Sequence, residues 1–279
     1  MSAWQEIKEL HKKTTLGAKE GVAFRYFSRP VASFILYYIQ HGTLTPNQVT
    51  ILSLAVGVLG SIVHATWLSW GGLLAGGALF MIAHMLDALD GQLARHRKAG
   101  SVIGMYFDFF IDGVKAFLMY GALTIRLYRQ ASETPAAGTT YDAPFGGAFA
   151  GPLELVRPLL DRVGPAGLPL LAVFGLVGLA TGVACTDFLK KKEWKEAFGP
   201  KPAADGSAPA KGGGGPLGAL FALGHFVVDY PSYILILCAI NRVDAYLIAY
   251  TVVVCAYAVQ ALSGIMLKLW RVNPYAPKP

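Results

Sequence analysis

Six apolar stretches constrain this chain more than any other feature; they run near 49–69, 71–89, 102–127, 166–189, 217–240 and 243–269. Each is long enough to cross a hydrocarbon core of about 30 Å as a helix of roughly 20 residues. A backbone in lipid must satisfy its polar groups within the segment or in a closed barrel, and the strict alternation of barrel strands is absent. Only 15% of the residues are charged and 54% are hydrophobic, whereas a soluble domain carries about a quarter charged residues. Too few charges remain to coat a water-facing surface. The sequence therefore predicts an all-α fold, a polytopic membrane bundle of six transmembrane helices. Residues 46–270 make one membrane domain, with an N-terminal cytoplasmic and interfacial segment over 1–45 and a short cytoplasmic tail over 271–279.

Before the first span, Trp4, Ile7, Leu10 and Thr14 recur at helical spacing, while Lys8, Lys12 and Lys13 point elsewhere. The pattern predicts an N-terminal interfacial amphipathic helix, a solvated tail helix being the alternative. The apolar run 31–39, after Pro30, is too short to span and is expected to continue that interfacial element. Residues 1–20 lack the apolar core of a signal peptide, so no cleavage is expected.

The formal net charge of +7 raises the question of nucleic acid. In a membrane chain, basic cytoplasmic loops explain it, and no nucleic-acid partner is expected. Lys8, Lys12, Lys13, Lys19, Arg25 and Arg29 precede the first span, and Arg95, Arg97 and Lys98 separate the second from the third. Lys190, Lys191, Lys192, Lys195, Lys201 and Lys211 separate the fourth from the fifth. The other side has Arg126, Arg129, Arg157, Arg162 and Arg242. Both termini and the link between spans two and three are thus expected in the cytoplasm, in the cell's inner or plasma membrane. Cys185, Cys238 and Cys255 lie in apolar runs without paired spacing and read as core residues. The stretch 128–165 reads as an irregular external loop, and 193–216, rich in Pro and Gly, as a flexible linker. No internal repeat suggests an inverted-repeat transporter.

Chemistry concentrates in DALDGQLARHRKAGSVIGMYFDFFID, residues 87–112. Asp87 and Asp90 are three apart and Asp108 and Asp112 four apart, so each pair shares a helix face. If spans two and three form an antiparallel hairpin, both pairs point into one cavity. A carboxylate buried in a membrane helix costs about 2.5–3.5 kcal/mol at mid-depth, and four together repel one another. Divalent cations resolve both problems, since hard oxygen ligands suit magnesium, manganese or calcium. Gly91, Ala94 and Gly104 remove bulk on the same faces, so that a nucleotide or diphosphate can approach the backbone. Arg95 is placed to meet phosphate oxygens or to anchor a carboxylate.

The pattern D-x2-D-G-x2-A-R-x8-G-x3-D-x3-D resembles the CDP-alcohol phosphotransferase family at every fixed position: Asp87, Asp90, Gly91, Ala94, Arg95, Gly104, Asp108 and Asp112. The resemblance implies an enzyme that cleaves a CDP-alcohol between its two phosphates and releases CMP. It further implies two divalent ions, Mg2+ or Mn2+, on the four aspartates, with Asp112 also the general base for the acceptor hydroxyl. Gly91, Ala94 and Gly104 would line the cytidine pocket, with Arg95 in its polar shell, in a homodimer.

Weaker signals surround this core. Thr45-Pro46 reads as a helix start, with Thr45 as cap; similar Pro-Asn-x-Val-Thr segments in the family put Asn47 and Thr50 near the substrate. Lys115, one turn beyond Asp112, and Lys190 are candidate acceptor contacts, although Lys190, Lys191 and Lys192 also serve topology and anionic lipid. His225 and Asp229, and also His84, read equally as packed or hydrogen-bonded bundle residues. The expected reaction passes a substituted phosphate from CDP-diacylglycerol to a small alcohol or polyol phosphate, in phospholipid biosynthesis. The alternative keeps the chemistry with a soluble donor such as CDP-choline, CDP-ethanolamine or CDP-inositol. A divalent-cation transporter is the rival of another class; it explains the carboxylates but not the spacing of Gly91, Ala94 and Arg95.

Overall fold

The computed structural model describes residues 2–15, 24–133, 167–198 and 234–270, together with Pro158 and Arg162. Between short turns these residues are helical, with no strand among them. In chain order the helices are α1 (Ala3–Thr14), α2 (Arg29–Ile39, preceded by a π-helical turn Phe24–Ser28), α3 (Pro46–Thr66), α4 (Trp70–His96), α5 (Val102–Glu133), α6 (Gly167–Lys190), α7 (Lys192–Phe198), α8 (Ile234–Ala239) and α9 (Val243–Trp270). The chain divides into two units, one within 1–169 and 229–247, the other within 170–228 and 248–279.

Four of the six expected spans reappear as helices long and apolar enough to cross a membrane: α3, α4, α6 and α9. They support an integral membrane protein. The third expected span forms as α5, 32 residues long, but carries Asp108, Asp112, Lys115 and Arg126 and so falls outside that apolar class. Most of the fifth lies outside the described residues, as do His225 and Asp229; its end is α8. The loop 128–165 lies mostly outside them too, as does 199–216 of the linker, whose start is the helix α7.

α3 is built inside out relative to a soluble helix. Its buried face is small or polar: Thr50, Ser53, Gly57, Gly60, Ser61 and His64, with Val49. Ile51, Leu52, Val58, Leu59 and Ile62 point outward. In lipid the apolar side chains gain nothing by turning inward, whereas small residues let backbones approach. The close packing is plain at Gly76 of α4, where a Cβ would stand 2.7 Å from the His64 ring. That ring also stacks on Phe80, with centroids 5.7 Å apart. The expected start of α3 is borne out: Thr45 and Gln48 form a reciprocal capping box, with Pro46 in the first turn.

Arginines close the exposed ends of these helices. Arg126 of α5, wholly buried, donates to the carbonyls of Trp67 at 2.8 Å and Ser69 at 2.7 Å, and Arg129 to Ala65 at 2.9 Å. They meet the carbonyl groups that the end of α3 and its turn leave without helical donors. Arg97, at the end of α4, does the same for the turn after α2, donating to Gly42 at 2.7 Å.

α1 forms over the expected residues, with a Ser2–Gln5 capping box. Its Ile7, Leu10 and Thr14 are buried, and Leu10 packs with Ala32, Leu36, Ala88, Leu89 and Leu93 of α2 and α4. The face expected to rest on a membrane thus meets protein, while Trp4 stays 61% exposed. α2 is a separate helix that packs on α4 through Ala32 and Leu36.

Candidate active site

Three helices of the first unit bring the motif together. α4 continues to His96, two turns past the end of its apolar stretch, and so carries Asp87, Asp90, Gly91, Ala94 and Arg95 on one helix. After the turn, Ser101 caps α5 by accepting from the Gly104 N–H at 2.9 Å, and Asp108, Asp112 and Lys115 follow on that helix. α3 packs against both.

Asp87, Asp90 and Asp108 converge: one carboxylate oxygen from each lies within 4.8 Å of the others. Asp90 is buried, at 4% exposure, and among the described residues a hydroxyl meets it, Thr50 Oγ donating to its Oδ2 at 2.6 Å. Asp108 Oδ1 is buried without a hydrogen-bond partner among the described residues. Buried carboxylates this close are costly unless a cation joins them. Three hard oxygen donors and an orphaned oxygen fit a magnesium or manganese ion.

Asp112 lies beside that triad, its side chain in hydrogen-bond contact with Asp87. Its carboxylate binds Lys115 Nζ at 2.8 Å and is 48% exposed. Lys115 is buried and also reaches Asp87 at 2.5 Å and the Ser53 hydroxyl at 3.0 Å. Ser53 in turn donates to the Ala83 carbonyl at 2.9 Å. Gly57, one turn further, makes room for the lysine stem, which passes 3.4 Å from where its Cβ would be. Lys115 thus lies among the aspartates, and its first partners are carboxylates of the motif.

The other expected residues fall as follows. Thr50 touches Asp90 and acts as its support. Asn47 is exposed at the start of α3, its Oδ1 3.8 Å from where Gly104 would bear a Cβ. Gly91 and Ala94 are half-buried. Arg95 lays its guanidinium over Gly91 and donates from Nε to the Thr14 carbonyl at 2.5 Å, tying α4 to the end of α1. His84 is buried one turn before Asp87. Lys190 is exposed at the end of α6, in the second unit; nearby, Asp187 pairs with Lys191 at 4.0 Å.

Three residues of the neighbourhood escaped the sequence reading: Ser53, Gly57 and Arg29. The first two were legible as a small and polar stripe at spacings of three and four in an apolar helix. Arg29, counted there only as a topology charge, is buried and donates to the Ala88 carbonyl at 2.5 Å. Gln92 holds its backbone, donating to the Arg29 carbonyl at 3.3 Å and to Ser33 at 3.0 Å. The charges of Arg29 and Arg95 both act on Asp108.

The Thr50 contact makes one expectation direct. Thr50→Val, nearly isosteric, is expected to weaken Mn2+ binding by about ten-fold or more, the usual size of a lost partner behind a metal ligand. Calorimetric titration of the purified protein checks it; unchanged affinity would show that Asp90 needs no such support.

Residues 43–140 match the family model described as CDP-alcohol phosphatidyltransferase. The chain is also 34% identical over 152 residues to a "Bifunctional IPC transferase and DIPP synthase" of Rubrobacter xylanophilus, a match covering 50% of this chain and 34% of that protein. A protein of the same name from Aquifex aeolicus is 31% identical over 120 residues, 43% of this chain and 27% of its own. In Thermococcus kodakarensis another is 26% identical over 112 residues, 39% and 24% of the two chains. The chain therefore spans about a quarter to a third of the length of these curated relatives.

Proposed function

We infer, for a chain that carries a CDP-alcohol phosphatidyltransferase domain over residues 43–140, that it passes a substituted phosphate from a CDP-alcohol to an acceptor hydroxyl and releases CMP. The observation that carries this reading is the convergence of Asp87, Asp90 and Asp108 within that domain. The donor is CDP-diacylglycerol and the acceptor a small alcohol or polyol phosphate, in phospholipid biosynthesis. Supporting a lipid donor, Val102, Ile103, Met105 and Phe110 are exposed on α5, the helix that carries Asp108 and Asp112, and offer acyl chains an apolar surface.

Asp87, Asp90 and Asp108 would hold divalent metal, magnesium or manganese, with Asp112 beside them for a second ion. Such ions, when bound, neutralise the charge that develops on the departing phosphate. The chain's own residues do the rest. The acceptor oxygen bonds to the phosphorus that bears the alcohol, and the bond from that phosphorus to the bridging oxygen breaks. The electron pair leaves with CMP. The hydroxyl proton passes to a carboxylate oxygen of Asp112, the aspartate reachable from solvent and steadied by Lys115. Gly91, Ala94 and Gly104 leave space for the nucleotide.

The site and both termini face the cytoplasm of the inner or plasma membrane, and the protein is a homodimer. The engagement of Arg126 and Arg129 with α3 carbonyls supports that orientation. Two of the five basic residues on the opposite side are thereby accounted for as helix caps.

Purified protein with Mn2+ should release CMP from labelled CDP-diacylglycerol only when an acceptor is present, the lipid product being read by mass spectrometry across a panel of alcohols. A soluble CDP-alcohol consumed in preference would reverse the role of the lipid. Metal uptake into liposomes without any nucleotide turnover would replace the transferase with a transporter.

A further inference from the structure

α3 lends hydroxyls to the carboxylate group at two places one turn apart. Thr50 donates to Asp90, and Ser53, wholly buried, accepts from the Lys115 ammonium at 3.0 Å. The proton of Ser53 is committed to the Ala83 carbonyl at 2.9 Å, which turns its lone pairs towards the lysine. An ammonium has three donors and no acceptor. Among the described residues Lys115 places them on oxygens of Asp87, Asp112 and Ser53. These three partners come from three different helices, α4, α5 and α3.

The three oxygens are not equivalent. Asp87 belongs to the triad whose geometry suits a divalent ion, and a carboxylate committed to such an ion is a poorer partner for an ammonium, because the two cations repel. Lys115 is buried, so a donor that loses Asp87 cannot turn to bulk water and carries the cost of an unmet buried group. Asp112 and Ser53 remain. Asp112 is half-exposed and sits three residues before Lys115 on the same helix. Ser53 is a fixed point on another helix, locked by Ala83, while Gly57 keeps the path of the lysine stem clear. The loaded site therefore leans on Ser53 more than the empty one does.

We propose that Ser53 is a positioning residue that holds the Lys115 ammonium when Asp87 is given up to metal, so that Lys115 releases Asp87 without leaving Asp112. This rests on the metal and transferase reading given above, and adds to it a residue outside the aspartate motif of 87–112. The Ser53 hydroxyl acts only through Lys115. Its effect therefore requires the ammonium, and is opposite in sign to that of the ammonium itself. Removing the charge of Lys115 relieves a repulsion and strengthens metal binding, whereas removing the support of that charge weakens it.

The test is calorimetric titration of the full chain with Mn2+ in four forms that close a double-mutant cycle: wild type, Ser53→Ala, Lys115→Met and the double variant. Ser53→Ala is expected to bind Mn2+ about ten-fold more weakly than wild type, the size of one hydrogen bond to a charged group. The double variant is expected to bind as Lys115→Met does. Equal affinity in wild type and Ser53→Ala overturns the proposal and leaves the metal and transferase reading standing. A loss that persists in the Lys115→Met background also overturns it, since a packing role acts in both. Absence of Mn2+ binding in the wild type removes the metal reading and the proposal with it. Should Lys115→Met fail to fold, Ser53→Cys decides, because the thiol keeps the shape of the side chain but is a weak acceptor. A loss like that of Ser53→Ala then supports the proposal, and wild-type affinity overturns it.

Discussion

Asp112→Asn is expected to cut turnover about a hundred- to ten-thousand-fold, the range over which a positioned general base contributes, while CDP-alcohol binding changes by only a few-fold. The reason is the division of labour among the four aspartates. Asp87, Asp90 and Asp108 close on one another within 4.8 Å, whereas Asp112 touches this group only through Asp87, pairs with Lys115 and is 48% exposed, against 10% for Asp87. Asparagine keeps the size and one oxygen of the side chain and adds an amide donor, so Lys115 retains a partner and the contact with Asp87 can persist. What is lost is the charge that accepts the acceptor's proton. Single-turnover CMP release measures the first effect and equilibrium binding of the labelled donor the second. Unchanged turnover would remove Asp112 from the mechanism; donor binding lost in parallel with turnover would leave it only the metal-holding role.

The carboxylates were legible because their cost in a membrane is so high that their clustering needed a reason, and spacings of three and four put each pair on one face. The division between them was not. Lys115 pairs with Asp112 three residues before it on α5 and also with Asp87 across the packing of α5 on α4, and helical spacing carries no information about the second of these contacts. The span boundaries show a similar limit. Hydropathy ended the second span near 89, but α4 runs to His96, since backbone hydrogen bonds continue regardless of side-chain polarity until the turn at Arg97. Lys98 there takes φ 54°, the left-handed region that reverses the chain. The amphipathic pattern of α1 identified its apolar face, yet pattern alone does not distinguish lipid from α2 and α4 as the surface that covers it. Arg29, Arg97, Arg126 and Arg129 were all counted as topology charges. Each is bound to backbone carbonyls, a role visible only once the helix ends are in place.

Lys115→Met should produce opposite changes in metal binding and catalysis, and that opposition separates an electrostatic role from a packing one. The ammonium sits 2.5 Å from Asp87 and 2.8 Å from Asp112, so it shares Asp87 with the triad and opposes any cation there. Two unit charges about 4 Å apart interact by about 4 kcal/mol at an effective dielectric constant near 20. Relaxation of the carboxylates absorbs much of this, so Mn2+ affinity is expected to rise about ten- to a hundred-fold when the charge is removed. Methionine fills the stem's path beside Gly57, where a Cβ would stand 3.4 Å from the lysine Cγ, so packing is largely preserved. Turnover is expected to fall about a hundred-fold even with metal saturating, because Asp112 is no longer held in place for the acceptor. Mn2+ titration by calorimetry or by electron paramagnetic resonance reads the first change, and CMP release the second. Weaker metal binding together with lower turnover would make Lys115 a scaffold for the carboxylates, and unchanged metal binding would show that its charge is screened from the triad.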